Sequence, residues 1–169
     1  NRYFLDLSGR RDGSSNFGEN NRYANFWAVG AMWKLKKEAF LENVKWLTDL
    51  NLRFSTGLSG NSGGLNYSNL NVISPMALYQ GQTGYTLSRL GNPDIRWEEQ
   101  TKTSVGLNVV FLYNTSLNVE YYNRRTYDAL SYRDNNSASG YTQIYGNTGA
   151  MQNQGVDFSI SSRVYYNEA

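Results

Sequence analysis

Lys102-Thr103-Ser104-Val105-Gly106-Leu107-Asn108-Val109-Val110-Phe111 is the stretch from which the rest of the chain is read. On an extended backbone Thr103, Val105, Leu107, Val109 and Phe111 share one face, and Lys102, Ser104, Gly106 and Asn108 share the other. That is a β-strand with one apolar face, close to the roughly 9–11 residues that a tilted strand needs to cross a bilayer. The same alternation recurs on both sides of it. Tyr3, Leu5 and Leu7 oppose Phe4, Asp6, Ser8 and Arg10. Trp27, Val29, Ala31, Trp33 and Leu35 oppose Phe26, Ala28, Gly30, Met32 and Lys34, and Leu50, Leu52, Phe54 and Thr56 oppose Asn51, Arg53, Ser55 and Gly57. Downstream, Leu117, Val119 and Tyr121 oppose Ser116, Asn118, Glu120, Tyr122 and Arg124, and Val156, Phe158, Ile160 and Val164 oppose Asp157, Ser159, Ser161 and Arg163. Helical periodicity is nearly missing, so the chain is predicted to be all-β.

Composition narrows the function classes. A chain of 169 residues fits one domain, and 18% charged residues with a net charge of +2 exclude an electrostatic nucleic-acid binder. Forty per cent apolar residues, with fourteen Tyr and four Trp, make it too hydrophobic for a disordered segment. It has no Cys and no His, which removes thiol nucleophiles, imidazole bases and metal centres built on either. No run approaches the roughly 18 consecutive apolar residues of a membrane-spanning helix. Residues 1–7 already alternate and Val156–Tyr166 is again strand-like, so the chain reads as an excerpt of a longer protein.

Between the six segments lie Arg11–Tyr23, Lys36–Asp49, Leu58–Gln100, Leu112–Thr115 and Thr126–Gln154. The even-numbered connections are read as the shorter ones, the parity of an up-and-down β-barrel with short periplasmic turns and long external loops. Leu112-Tyr113-Asn114-Thr115 is expected to be a tight hairpin turn, since Asn tolerates the left-handed backbone such turns use. Phe40, Val44 and Leu47 fall at i, i+4 and i+7 and suggest a short helical turn, or a compact connection with an apolar anchor, in Lys36–Leu47.

A soluble β-sandwich also hides one face of each strand, so alternation alone admits a secreted carbohydrate-binding sandwich as well as a membrane barrel. The presumed outward faces carry no Lys, Arg, Asp or Glu, as a barrel requires because a basic side chain at mid-membrane on a lipid-facing strand costs roughly 2–4 kcal/mol, but a sandwich facing bulk water shows the same polarity. The placement of aromatic residues favours the barrel. Tyr3, Trp27, Trp33, Phe111, Tyr121 and Tyr165 lie toward strand ends, where aromatic rings meet lipid headgroups.

Several motifs carry a family likeness. Arg2-Tyr3-Phe4-Leu5-Asp6 leads into Arg10-Arg11-Asp12-Gly13-Ser14-Ser15-Asn16-Phe17-Gly18, followed by Phe26 and Trp33. Trp46-Leu47-Thr48-Asp49-Leu50-Asn51-Leu52-Arg53 runs on to Gly57 and Ser59-Gly60-Asn61. Gly91-Asn92-Pro93-Asp94-Ile95-Arg96-Trp97-Glu98 is the most specific element, and Tyr121–Thr126 and Asn147–Asp157 complete the set. In that order and spacing, over essentially all 169 residues, the chain resembles the barrel of SusC/RagA-like TonB-dependent outer-membrane transporters of Bacteroidetes-type bacteria. The resemblance implies that 1–169 is an arc of a large transmembrane barrel, about 22 strands closed around a plug domain, with plug and closing strands lying outside this sequence. It further implies location in the cell outer membrane, in contact with its lipid, and import of oligosaccharides or peptides. The implied partners are TonB and a SusD-like surface lipoprotein, both engaged through regions not contained here. A fragment of this kind is expected to aggregate or self-associate without lipid, because it exposes an apolar face and two open edges.

No catalytic residue and no cofactor or metal is expected. Glu98 and Glu99 are adjacent, so on a strand they point to opposite faces and cannot flank one bond. Asp134-Asn135-Asn136 lacks the glycine and final Glu of a calcium loop and reads as a turn. Gly60-Asn61-Ser62-Gly63-Gly64 lacks the Lys-Ser/Thr pair of a phosphate loop. Ligand contact falls instead to Tyr67, Tyr79 and Tyr85 in the third connection and Tyr132, Tyr141 and Tyr145 in the fifth, where rings can stack on sugars or peptides. Packing of loop against loop is their plainer role. On the polar strand face, Asp6, Arg53, Lys102, Glu120, Arg124 and Asp157 are expected to form a lumenal network of paired charges.

Overall fold

The computed structural model describes residues 1–64, 66–112, 115–136 and 143–163, apart from the side chains of Leu78 and Tyr79. Its strands are β1 (Tyr3–Gly13), β2 (Tyr23–Lys34), β3 (Leu47–Asn61), β4 (Val72–Tyr79), β5 (Gln82–Arg89), β6 (Glu98–Phe111), β7 (Thr115–Asp134) and β8 (Gln143–Ser162). Six of them form one antiparallel sheet in the order β1-β2-β3-β6-β7-β8, a meander interrupted only by the separate hairpin β4-β5 inside the third connection. Among the described residues the one α-helix is the single turn α1 (Ala39–Glu42), preceded by a 3-10 turn at Leu35–Lys37, where the apolar spacing of Lys36–Leu47 pointed.

Antiparallel partners lie on one face, so the register turns the alternation of each strand into rows across the sheet. One row runs Leu5, Ala31, Phe54, Val105, Tyr121, Val156, and the next runs Tyr3, Trp33, Leu52, Leu107, Val119, Phe158. Among the described residues no second sheet lies over them: Leu5 is 69% exposed, Phe158 65% and Val156 64%. A sandwich needs a second layer on such rows, and β4-β5 does not supply one, so the sheet is a single open layer. Where hydroxyls enter the apolar face they satisfy each other, Thr56 Oγ1 to Thr103 Oγ1 at 2.9 Å, and the face presents no stranded polar group there. Toward the end carrying connections 14–22, 62–97 and 135–142 the same face turns polar: Arg11 lies 4.9 Å from the Tyr23 ring centre, and Arg125 Nε donates to Gln152.

The strands outrun the alternation that revealed them. β7 and β8 each run 20 residues, so most of the expected connection Thr126–Gln154 is strand, and only 135–142 links the two. The connection 35–46 is also longer than 14–22, because β1 and β2 continue past their alternating cores; the expected parity of lengths does not hold for that pair. Tyr113 and Asn114 of the tight turn lie outside the described residues; Leu112 has a φ of 51°, the left-handed backbone expected in that turn.

Buried hydrophobic side chains are few. Pairing of β2 with β3 stops at Trp27–Leu58. Beyond it Phe26 lies against Gly60, where any Cβ would run into the ring, and joins Phe17, Ile95 and Trp97 in a buried cluster. Burying each Phe or Ile side chain contributes roughly 1.5–3 kcal/mol. That cluster binds connections 14–22 and 62–97 to the sheet.

Candidate functional site at the long-connection end

Segment 92–98 is the hub of this end. Pro93 and the Asn92 side chain, whose Oδ1 accepts from Asp94 N at 3.1 Å, shape its turn, and Ile95 and Trp97 plug into the cluster. Trp97 sits 5.2 Å from Phe17 and 5.5 Å from Phe26, centre to centre. Asn21 Nδ2 donates to the carbonyls of Asp94 and Ile95, so connection 14–22 is held to the same segment.

On the other side the segment grips β7 and β8. Arg96 Nε donates to Asp128 Oδ2 at 2.9 Å and Nη2 to Oδ1 at 2.7 Å. This bidentate fork raises the Arg96 pKa above its ordinary value, first through the hydrogen bonds and then through Coulomb attraction. Asn147 pairs with the Arg96 backbone as a strand would, accepting from its N–H and donating to its C=O, both at 2.9 Å, and donates to Asp128 O as well. Asp128 holds a φ of 53° at the bulge where the β7–β8 register slips. Glu98 Oε2 accepts from the Leu130 amide at 3.0 Å, so this carboxylate closes the bulge. Asn92 Nδ2 reaches Tyr145 O, and Arg89 Nη2 donates to the carbonyls of Asn66 and Tyr67 at the base of the hairpin.

The tyrosines separate into two groups. Tyr132 and Tyr145 are direct cross-strand partners in β7 and β8 with rings 5.1 Å apart, in strand rather than loop because the two strands continue to pair outward. Tyr145 also packs on the buried cluster, whereas Tyr132 is 53% exposed. Tyr67 lies in the loop before β4, and Tyr85 stands exposed on β5 opposite Pro75. Among the described residues no ring contact joins either to the Tyr132–Tyr145 pair. Tyr79 ends β4, with its side chain outside the described residues, and Tyr141 lies wholly outside them.

On the polar face Asp6, Arg53, Lys102 and Glu120 line one open trough of about 580 Å³, floored by Gly30 and Gly106. The register differs from an alternating network: Lys102 stands opposite Arg124, and Glu120 opposite Asp157. Among the described residues no ion pair joins two of the six. Arg53 Nη2 donates to Asn118 Oδ1 at 3.0 Å and lies across Gly106 from Glu120. Neighbours on a sheet face are set by interstrand register, which the order of charges along the chain does not contain. Among the described residues no group of three carboxylates could hold a metal ion.

A single antiparallel layer, apolar and largely uncovered on one side and polar and charged on the other, defines an arc of a transmembrane β-barrel. The family described as TonB dependent receptor-like, beta-barrel matches residues 1–168, and the chain belongs to it. It is 31% identical over 168 residues to TonB-dependent receptor P39 of Formosa agariphila, covering 99% of this chain and 16% of that protein. It is 34% identical over 172 residues to TonB-dependent receptor SusC of Bacteroides thetaiotaomicron, covering 96% and 17%. Its fold matches the structure of the RagAB peptide importer in the closed-closed state with a TM-score of 0.90 and 36% identity, over 99% of this chain and 18% of that one. The chain thus spans about a sixth of the length of the curated relatives it matches. Sequence reasoning singled out segment 91–98 as a motif but not its partners: Asp128 and Asn147 are 32 and 51 residues from Arg96, and no local spacing joins them.

Proposed function

We propose that this chain supplies wall and external loops to an outer-membrane, TonB-dependent importer of oligosaccharides or peptides. The observation that carries this is the bare apolar row on every strand of the sheet, in a chain of a family whose named relatives are receptors and an importer. Lipid is the solvent such rows fit, because a continuous exposed apolar face is unstable in water. In this reading the ends with connections 35–46 and 112–114 face the periplasm, and segment 92–98 braces the external mouth. The SusC and RagAB relationships support a SusD-like lipoprotein over that mouth, with TonB engaging elsewhere in the whole protein. Of the six tyrosines expected to contact ligand, Tyr132, Tyr67 and Tyr85 have described rings that are exposed and available for stacking, and Tyr145 supports Tyr132 from beneath. The trough of Asp6, Arg53, Lys102 and Glu120 faces the lumen, where water and the rest of the protein neutralise its charges. The uncovered rows leave the secreted sandwich without support.

The test uses the complete protein that carries this segment, in an otherwise cysteine-free form, with single cysteines at Leu5, Phe158, Lys102 or Asp157. In intact outer membranes an impermeant thiol reagent should spare positions 5 and 158 and modify 102 and 157. Equal modification of all four would overturn the membrane reading. Uptake of labelled oligosaccharide or peptide that persists without the inner-membrane energy supply would overturn the import reading.

A further inference from the structure

The connection 35–46 does not hang below the strand ends; it is pulled onto the apolar face of the sheet. Glu38 makes the attachment. Its Oε1 accepts from Tyr3 Oη at 2.8 Å and from Trp33 Nε1 at 2.9 Å, and its Oε2 from Arg2 Nη1 at 3.2 Å. Tyr3 and Trp33 are cross-strand partners in the row that continues through Leu52 and Leu107, and their rings stack 6.0 Å apart. Lys36 closes the turn from within, its Nζ donating to the carbonyls of Leu41, Glu42 and Val44. Leu47, in register with Phe111, is 4% exposed here at the start of β3. The next turn is tied in by Leu112 N to Trp46 O at 3.0 Å.

What this compact piece leaves outside is of two kinds. Phe40, Trp46 and Leu112 are 69%, 61% and 62% exposed. Lys37 and Lys45 are exposed, and neither makes an ion pair among the described residues. Phe40 lies in the single turn α1, which follows the extended Glu38, and its exposure leaves the ring to the surroundings of the barrel instead of packing it on the sheet. Apolar rings beside unpaired lysines, continuous with a lipid-facing row, match the boundary between acyl chains and phosphate headgroups.

We propose that connection 35–46 is an interfacial foot seated in the phospholipid leaflet at this end of the barrel, with Phe40, Trp46 and Leu112 at the acyl boundary and Lys37 and Lys45 on headgroup phosphates. This rests on the membrane reading above. A nitroxide on a cysteine at position 40, 43 or 158 of the full protein, in vesicles of phosphatidylethanolamine and phosphatidylglycerol, tests it by the ratio of oxygen to water-soluble nickel accessibility. Position 158 should read as acyl chain, and position 40 should exceed position 43 several-fold. Lys37→Glu with Lys45→Glu should shift position 40 toward water while leaving 158 unchanged. A label at 40 as wet as at 43, with 158 still in lipid, overturns the foot and spares the membrane reading; a wet label at 158 overturns both. Shielding at 40 that persists when the protein is moved from vesicles into a lipid-free amphipathic polymer marks a protein contact, and overturns the foot as well.

Discussion

Arg96 and Asp128 are 32 residues apart, yet the guanidinium grips both carboxylate oxygens, at 2.7 and 2.9 Å, across the point where the ladder between β7 and β8 slips. The pair adds a side-chain grip between a loop segment and a bulge that Asn147 and Glu98 also tie together. Much of its surface is wet, with side-chain exposures of 59% and 33%, so its value lies in position more than in stability.

Arg96→Ala should therefore cost at most about 1 kcal/mol of global stability. It should nonetheless speed amide exchange at residues 92–97 and around Asp128. At position 128 Asn should be tolerated far better than Val, because a β-branched residue at a φ of 53° adds about 1–2 kcal/mol of backbone strain. Equal exchange in wild type and Arg96→Ala would remove the bracing role.

Phe26→Ala should destabilise by about 3–5 kcal/mol, the range for truncating a fully buried ring. The loss should appear as joint loosening of connections 14–22 and 62–97 under limited proteolysis, since both rest on this ring. Gly60→Leu should reproduce it by forcing a side chain into Phe26. Loosening of one connection without the other would show that the cluster is not shared.

Leu107→Arg should cost roughly 2–4 kcal/mol in a bilayer, because it places a cation on the lipid-facing row. Asn108→Arg, one residue away on the polar face, should fold close to normally. Urea titration in vesicles compares the two. Equal costs would mean that the faces are not distinguished by solvent.

Glu38 titrates below its ordinary value of 4.5, chiefly because the Trp33 indole and then the Tyr3 hydroxyl donate to its charged form, with Arg2 adding attraction against a desolvation cost. A lowered folded pKa means that these contacts stabilise fully above pH 4.5 and are lost as pH falls through the lowered value. Wild type and Glu38→Gln should thus differ in exchange at residues 35–46 at neutral pH and converge in acid. A difference that persists at low pH would assign the effect to something other than the carboxylate charge.

Legibility in the sequence followed local physics. The strands were readable where polar and apolar residues alternate strictly, as in Thr103 to Phe111. They were not readable at Tyr127–Asp134 or Gln143–Met151, where no face is apolar throughout and partner backbone alone holds the strand extended. The hairpin β4-β5 escaped notice for a similar reason: Gln80-Gly81, with φ of 50° and 76°, makes the turn without the usual Asn-Gly signal, and Pro75 reads as a strand breaker. Segment 91–98 stood out, but its meaning lies in Asp128, Asn147 and Phe26.

By itself the sequence determined the all-β class of the fold and which side of each strand is apolar, because a period of two is local and one charged residue on the wrong face is costly. It also settled that no Cys or His chemistry is available. Tertiary structure alone decided which charges stand opposite each other, that Tyr132 meets Tyr145, and that Glu38 folds a connection onto the apolar face. Those depend on register and on contacts tens of residues apart, and a one-residue slip between strands would exchange every neighbour while leaving each strand's own pattern unchanged.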